Sequence, residues 1–256
     1  MNSPIIETRA ADDSRERLQR LSAIAGQLLD RARAAGASQA EVACNEDIGL
    51  AVNVRMGEVE TVEATRDRGI AVTVYFGRRK GNASTADLRE ASLEATVAQA
   101  CAIARYTEDD AAAGLADAER MATTQREFDG WHPWDIDAQQ AIDIALACEQ
   151  AGRDADPRIG NSDGASTNPN ASISVYANSH GFLGGERGTS HSIGCALIAG
   201  EGDAMQRDGW YDVALARSDL EDAGAIGRKA ARRTLERLDP RQLPTGEVPV
   251  LFAAEM

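Results

Sequence analysis

At 256 residues the chain is long enough for one large domain or two ordinary ones. Its 43% hydrophobic content supplies a core without disulfides, and with aromatics at only 4% close helix packing fits better than an aromatic-rich sandwich. Lys and Arg number 27 against 41 Asp and Glu, a net charge of −14 that repels phosphate backbones and anionic lipid head groups, which excludes nucleic-acid or membrane-surface binding as the main task.

The stretch from Met1 to Asp13 shows no basic region followed by an apolar run, so no secretory signal is visible. Asp13-Ser14-Arg15-Glu16 has capping-box spacing and predicts a helix. Leu18, Leu21, Ile24, Ala25, Leu28, Leu29 and Ala32 form its apolar face, and Gly36 ends it. Leu50, Val52 and Val54 alternate with polar neighbours as a half-buried strand, Met56-Gly57-Glu58 turns, and Val59 to Ala64 returns as a hairpin partner. Ile70, Val72, Val74 and Phe76 form another strand before a turn at Arg78-Arg79-Lys80-Gly81. A second capping box, Asp87-Leu88-Arg89-Glu90, opens an Ala-rich helix to about Arg105.

Residues 107–136 read as a long connection held down by Trp131 and Trp134. Asp137-Ala138-Gln139-Gln140 caps a third helix carrying Ala141, Ile144, Ala145, Cys148 and Ala151 on one face. Strand signals follow at Ile173 and Val175, at Ile193, Cys195 and Leu197, and at Tyr211, Val213 and Leu215, while the Gly-rich stretch Asn178 to Gly188 reads as loop. Ser218-Asp219-Leu220-Glu221 is the strongest capping box and opens a helix that Asp239-Pro240 ends. Val248 to Phe252 reads as a final strand.

The fold class expected is α+β: an N-terminal domain of helices packed on antiparallel sheets, then the start of a C-terminal β-rich domain. The divisions are an α+β lobe over 1–106, a connection over 107–136, a helix, antiparallel strands and long helix over 137–240, and a truncated further domain beginning in 241–256.

Little chemistry is self-contained. Zinc hydrolysis needs imidazoles about one helical turn apart with a carboxylate between them, and neither His132, His180 nor His191 has such spacing. Gly160-Asn161-Ser162-Asp163-Gly164 matches a nucleophile elbow in letters, but Ala165 to Asn170 cannot begin the helix that motif requires, so it reads as a turn or bulge. Gly181 to Gly188 is not a phosphate-binding pattern and reads as a hairpin tip. Cys44, Cys101, Cys148 and Cys195, with no C-x-x-C pair, read as reduced core thiols in a cytoplasmic protein. Glu58, Glu60 and Glu63 read as a solvated strand face.

Several segments occur in an order that resembles the TldD/PmbA family, once labelled modulators of DNA gyrase, and within it the PmbA (TldE) branch. They are Phe128-Asp129-Gly130, Trp134-Asp135, Arg158 to Ala165, Ala177 to Phe182, Met205 to Asp208 and Gly227 to Leu235. The resemblance implies a cytoplasmic heteromeric metallopeptidase acting on small unfolded peptides. In that family a TldD-type subunit carries a His-Glu-x-x-x-His zinc motif and the PmbA-type subunit lacks it. It also implies a longer protein, with Val250 to Met256 at the entrance to the further domain. The expectations are therefore no catalytic and no metal residue in this chain, zinc in a TldD-type partner, unfolded peptides as substrate, no nucleic acid and no membrane, with homodimerisation in isolation left open. The polar clusters Asn161, Ser162 and Gly164, Asn178 and Gly181, and Met205, Gln206, Arg207 and Asp208 are the candidates for lining a peptide channel or subunit joint. The alternative is a stand-alone peptide- or protein-binding module without catalysis.

Overall fold

In the computed structural model, which describes residues 13–242 and 244–252, helix α1 (Ser14–Ala34) precedes strands β1 (Gln39–Arg55), β2 (Glu58–Phe76) and β3 (Arg79–Thr85). Helix α2 (Glu90–Tyr106), a long connection and helix α3 (Ala138–Arg153) follow. Strands β4 (Asn161–Asn178), β5 (Leu183–Ala199) and β6 (Gln206–Ala214) lead to helix α4 (Ala223–Glu236). The six strands form one antiparallel sheet in the order β3-β2-β1-β4-β5-β6.

Strand periodicity explains how one sheet serves two cores. On β1, Val42 and Cys44 face α1 and α2, while Leu50, Val52 and Val54, on the same face, meet α3 and α4. On β4, Ile173, Val175 and Ala177 join the first cluster and Ala165 the second. All four helices therefore cover one face. The other face carries Asn45, Ala51 and Asn53 of β1 and Ser166, Asn168, Asn170 and Ser172 of β4, side chains too short and polar to hold a helix layer. The sheet passes without interruption from the first lobe to the second, because β1 pairs with β4.

The connection is a strap. Asp110 N donates to the Arg78 carbonyl and Leu115 N to Gln39 Oε1, after which Gln125 and Gly130 reach β5. It ends with Trp131 and Trp134 half-buried under Arg187 and Arg217, whose guanidinium carbons stand 5.2 and 5.1 Å from the ring centres. The anchoring role expected of the two tryptophans is what the structure shows.

Several expectations need correction. The strand segments at 59–64 and 70–76 are one strand, because β1 is 17 residues long and pairs along all of it. Residues Arg79–Thr85 are strand rather than turn, paired with Ile70 to Phe76. The supposed loop Asn178 to Gly188 is a turn at Ser179–Phe182 and then β5, in which Gly185 pairs with Val175 and Gly188 with Ser172. Glycine is used there for close approach: a Cβ on Gly185 would lie 2.6 Å from Leu18 Cδ1 of α1.

Of the capping boxes, only Asp137/Gln140 forms, with both reciprocal bonds present. Asp13 turns to Arg17 at 3.6 Å and makes no cap bond. Asp87 binds the amide and guanidinium of Arg89 and the hydroxyl of Ser92, so α2 starts at Glu90. The cap of α4 is Asp222, accepting from Ala225 N, because Arg217–Asp219 is a 3-10 turn. Finally, the strand expected at Val248 to Phe252 is absent: the described residues 244–252 carry no regular structure, and with no neighbouring strand its backbone cannot pair. Residues Ala253 to Met256, included in the expected further domain, lie outside the described residues, as does Met1 to Asp12 of the stretch read for a secretory signal.

Candidate functional site

Two of the three polar clusters meet at one end of the sheet. The ladder sets Asn161 opposite Ile198 and Ile198 opposite Arg207, and aligns Ser162 with Leu197 and Asp208. A β-bulge between Ser162 and Gly164 bends β4 there, and Gly164 at φ +108 packs where a Cβ would lie 2.7 Å from the Val54 carbonyl. Bending the strand turns Asp163 outward to pair with Arg207, whose Nε is 2.6 Å from the carboxylate.

Ser162 itself is fully buried. Its Oγ accepts from Gly164 N at 2.9 Å and donates to the Ala196 carbonyl at 3.4 Å, so it holds the bulge together and is not presented as a nucleophile. The turn-or-bulge expectation is correct. On the uncovered face beside it lies a cleft of about 450 Å³, floored by Ser166, Gly194 and Gly209 and walled by Glu60, Arg207 and Tyr211. A shallow floor of small residues with charged and phenolic walls can seat an extended main chain. It holds no paired acid and base.

Asp208 joins this end to α4, receiving Arg237 at 3.0 Å and Arg233 at 3.5 Å. Burial works against its carboxylate, but the Gly209 amide, Arg237 and Arg233 outweigh it and hold the pKa below the ordinary value. Met205 is exposed and Gln206 begins β6.

The third cluster is elsewhere. Asn178 and Gly181 sit at the opposite end of β4, about 55 Å away at roughly 3.3 Å per residue. There, Tyr75 and Tyr176 hydroxyls each donate to Glu41 at 2.9 Å. Burial and the Glu41 carboxylate push the Tyr75 phenol up to about 12. Next to them a cavity of about 570 Å³ opens between strap and sheet, lined by Asn45, Gln125, Phe128, Tyr176 and Phe182. Glu41 and the two tyrosines escaped sequence reasoning because they lie 34 and 135 residues apart and only the strand register unites them.

The titratable groups do not build a metal centre. Among the described residues no group of three His, Cys, Asp or Glu side chains converges on a point that could hold an ion. The ring of His132 is taken up by Asp129, 3.3 Å from its carboxylate, and His191 Nε2 bonds the His132 carbonyl at 2.9 Å. The four cysteines are buried and unpaired with one another as disulfides. Burial pushes the Cys44 thiol up to about 12, and a bond to Cys148 together with burial pushes Cys195 up further. No helix among the described residues is long and apolar enough to cross a membrane. These residues do not fit the zinc site of a metallopeptidase.

Comparison with known proteins gives matches along most of the chain. The model for PmbA/TldA metallopeptidase domain 1 matches residues 40–104, and that for the PmbA/TldA metallopeptidase central domain matches 131–238. Metalloprotease PmbA of Escherichia coli O157:H7 is 43% identical over 217 residues, covering 85% of this chain and 48% of that protein. A PmbA homologue of Haemophilus influenzae is 42% identical over 224 residues, 88% of this chain and 49% of that one. A crystal structure from Bacteroides thetaiotaomicron, designated a modulator of DNA gyrase, superposes with a TM-score of 0.79 at 24% identity, covering 88% of this chain and 51% of that one. The chain thus spans about half the length of the curated relatives it matches.

Proposed function

Since the chain belongs to the PmbA/TldD metallopeptidase family, we propose that it serves as a PmbA-type subunit of a cytoplasmic heteromeric peptidase that acts on small unfolded peptides. In this reading zinc belongs to a TldD-type partner, where it supplies an activated water. The residues of this chain bind and orient the peptide and shield it from bulk solvent. The observation that carries the reading is a joint one: 43% identity to a metalloprotease across 85% of the chain, combined with a donor set that, among the described residues, converges nowhere on a metal-holding geometry. The cleft between Glu60, Arg207 and Tyr211 supports a peptide-seating role, because extended backbone needs a flat floor and polar walls.

The test is reconstitution. This chain, a TldD-type partner and an unfolded peptide are mixed with and without a chelator, and cleavage is followed. The reading expects cleavage that rises when this chain is added and disappears with the chelator. Equal cleavage with and without this chain contradicts it. The second reading, a stand-alone peptide- or protein-binding module, is favoured by the cavity under the strap. It expects saturable peptide binding by this chain alone with no enhancement of any partner's hydrolysis.

A further inference from the structure

Strand edges are managed unevenly in this molecule. Beyond the reach of β6, β5 is covered by the strap: Gly185 N donates to Gln125 Oε1 at 2.9 Å, Gln125 Nε2 donates back to the Gly185 carbonyl, and Thr189 N donates to Gly130 O at 2.9 Å. On β6 the groups are met locally, with Gly209 N on Asp208 Oδ1, Val213 N on Asp212 Oδ1 and the Asp208 carbonyl on Thr234 Oγ1. The contrast is β2. Its partner β3 pairs only with Ile70 to Phe76, so over Glu58 to Gly69 the outer side of β2 has no strand against it among the described residues. Residues 58–64 and 66–68 are exposed. A long vacant edge of this kind is a template for another strand.

The sequence of that edge selects its occupant. Its first half carries Glu58 and Glu60 and its second half Arg66 and Arg68. We propose that a second copy of this chain pairs here antiparallel about a two-fold axis at Glu63, joining two six-stranded sheets into one. In that register Glu58 stands opposite Arg68, Glu60 opposite Arg66, Thr61 opposite Thr65 and Val62 opposite Ala64. A slip of one residue either way sets an acid on an acid: Glu58 on Asp67, or Glu60 on Asp67. The bulge beside Asn53/Val54 displaces the acidic end by about one residue, a diagonal of roughly 7–8 Å that Glu and Arg side chains span.

Space agrees with charge. The vacant stretch is bounded by the hairpin turn at Met56–Gly57 and by the start of β3 pairing at Ile70, and its midpoint falls beside Glu63. Position 70 of the second copy then lies opposite position 56, so the partner's β3 begins where the first hairpin ends. That hairpin is held rigid, because Glu149 accepts from Met56 N at 2.8 Å and Gly57 N at 2.7 Å. One unfavourable feature belongs to the same geometry: the two Glu63 carboxylates face each other at the axis, and like charges opposite one another oppose pairing. This association is independent of any peptidase activity.

Analytical ultracentrifugation of the full chain at low salt tests it. The wild type is expected to show a monomer–dimer equilibrium, tightened about threefold or more by Glu63→Gln. The variants Glu58→Lys/Glu60→Lys and Arg66→Glu/Arg68→Glu should each weaken self-association by about tenfold or more. Mixed with each other, the two variants should recover it, since each then opposes the complementary charge. Recovery in the mixture also excludes misfolding as the cause. A monomeric wild type at every concentration, variants that dimerise unaided, or a mixture of folded variants that stays monomeric overturns the proposal. Dissociation of the wild type by an added basic extended peptide, with no response to Glu63→Gln, likewise overturns it in favour of a peptide as the occupant.

Discussion

Glu149 is a carboxylate only 1% exposed, and it is satisfied by two consecutive backbone amides at the tip of the β1–β2 hairpin rather than by a cation. Met56 and Gly57 both adopt positive φ, 52° and 82°, the conformation a two-residue hairpin turn requires. Glu149→Ala removes both acceptors and should destabilise the chain by about 2–3 kcal/mol in chemical denaturation, with Glu149→Gln costing less because one acceptor stays. His191 is equally buried, and desolvation lowers its pKa, the bond to the His132 carbonyl opposing only in part. An unfolded His titrates near about 6.5. Below that pH the unfolded chain takes the proton first, so stability should fall as pH drops from about 7 toward 5.5. The melting temperature of His191→Gln over this window should be flatter; an equal slope in the variant contradicts the assignment. The four buried thiols should stay unreactive toward a thiol reagent until the chain unfolds, and then all react.

Elements whose signal is local were legible in the sequence. The apolar faces of α1, α3 and α4 and the Asp137 cap follow from residues three and four apart, and each is present. Signals that depend on tertiary context misled: Ser218 to Glu221 has better box spacing than Asp222, but Asp212 takes the Glu221 amide and the chain turns once more before α4. Gly-rich β5 was illegible as a strand because Gly185 answers Leu18 of α1, far away in sequence. In β6 the large apolar residues Tyr211 and Val213 are exposed, since Gly194 and Ser192, their ladder partners, lie on the uncovered face. The crossing of α3 and α4 carries a firm prediction: a Cβ on Gly227 would sit 2.0 Å from the Cys148 carbonyl. Gly227→Ala should force the helices apart and cost about 1–3 kcal/mol, read as a lower melting temperature.

At the scale of the whole molecule, charge and composition excluded nucleic acid and membrane surface as partners by argument, and the α+β class is the one observed. The polar clusters were visible as letters, but their grouping was not. The ladder brings Asn161 to Gly164 beside Met205 to Asp208 and leaves Asn178 and Gly181 at the far end, so a single channel lined by all three does not exist within this sheet. The side chains capable of gripping a metal are dispersed among the described residues, and His132 and His191 are both occupied by structural contacts. Zinc titration of the isolated chain by equilibrium dialysis, with bound metal counted by atomic emission, tests that dispersal most directly. No stoichiometric zinc is expected at micromolar free metal; one tightly held ion per chain would contradict it.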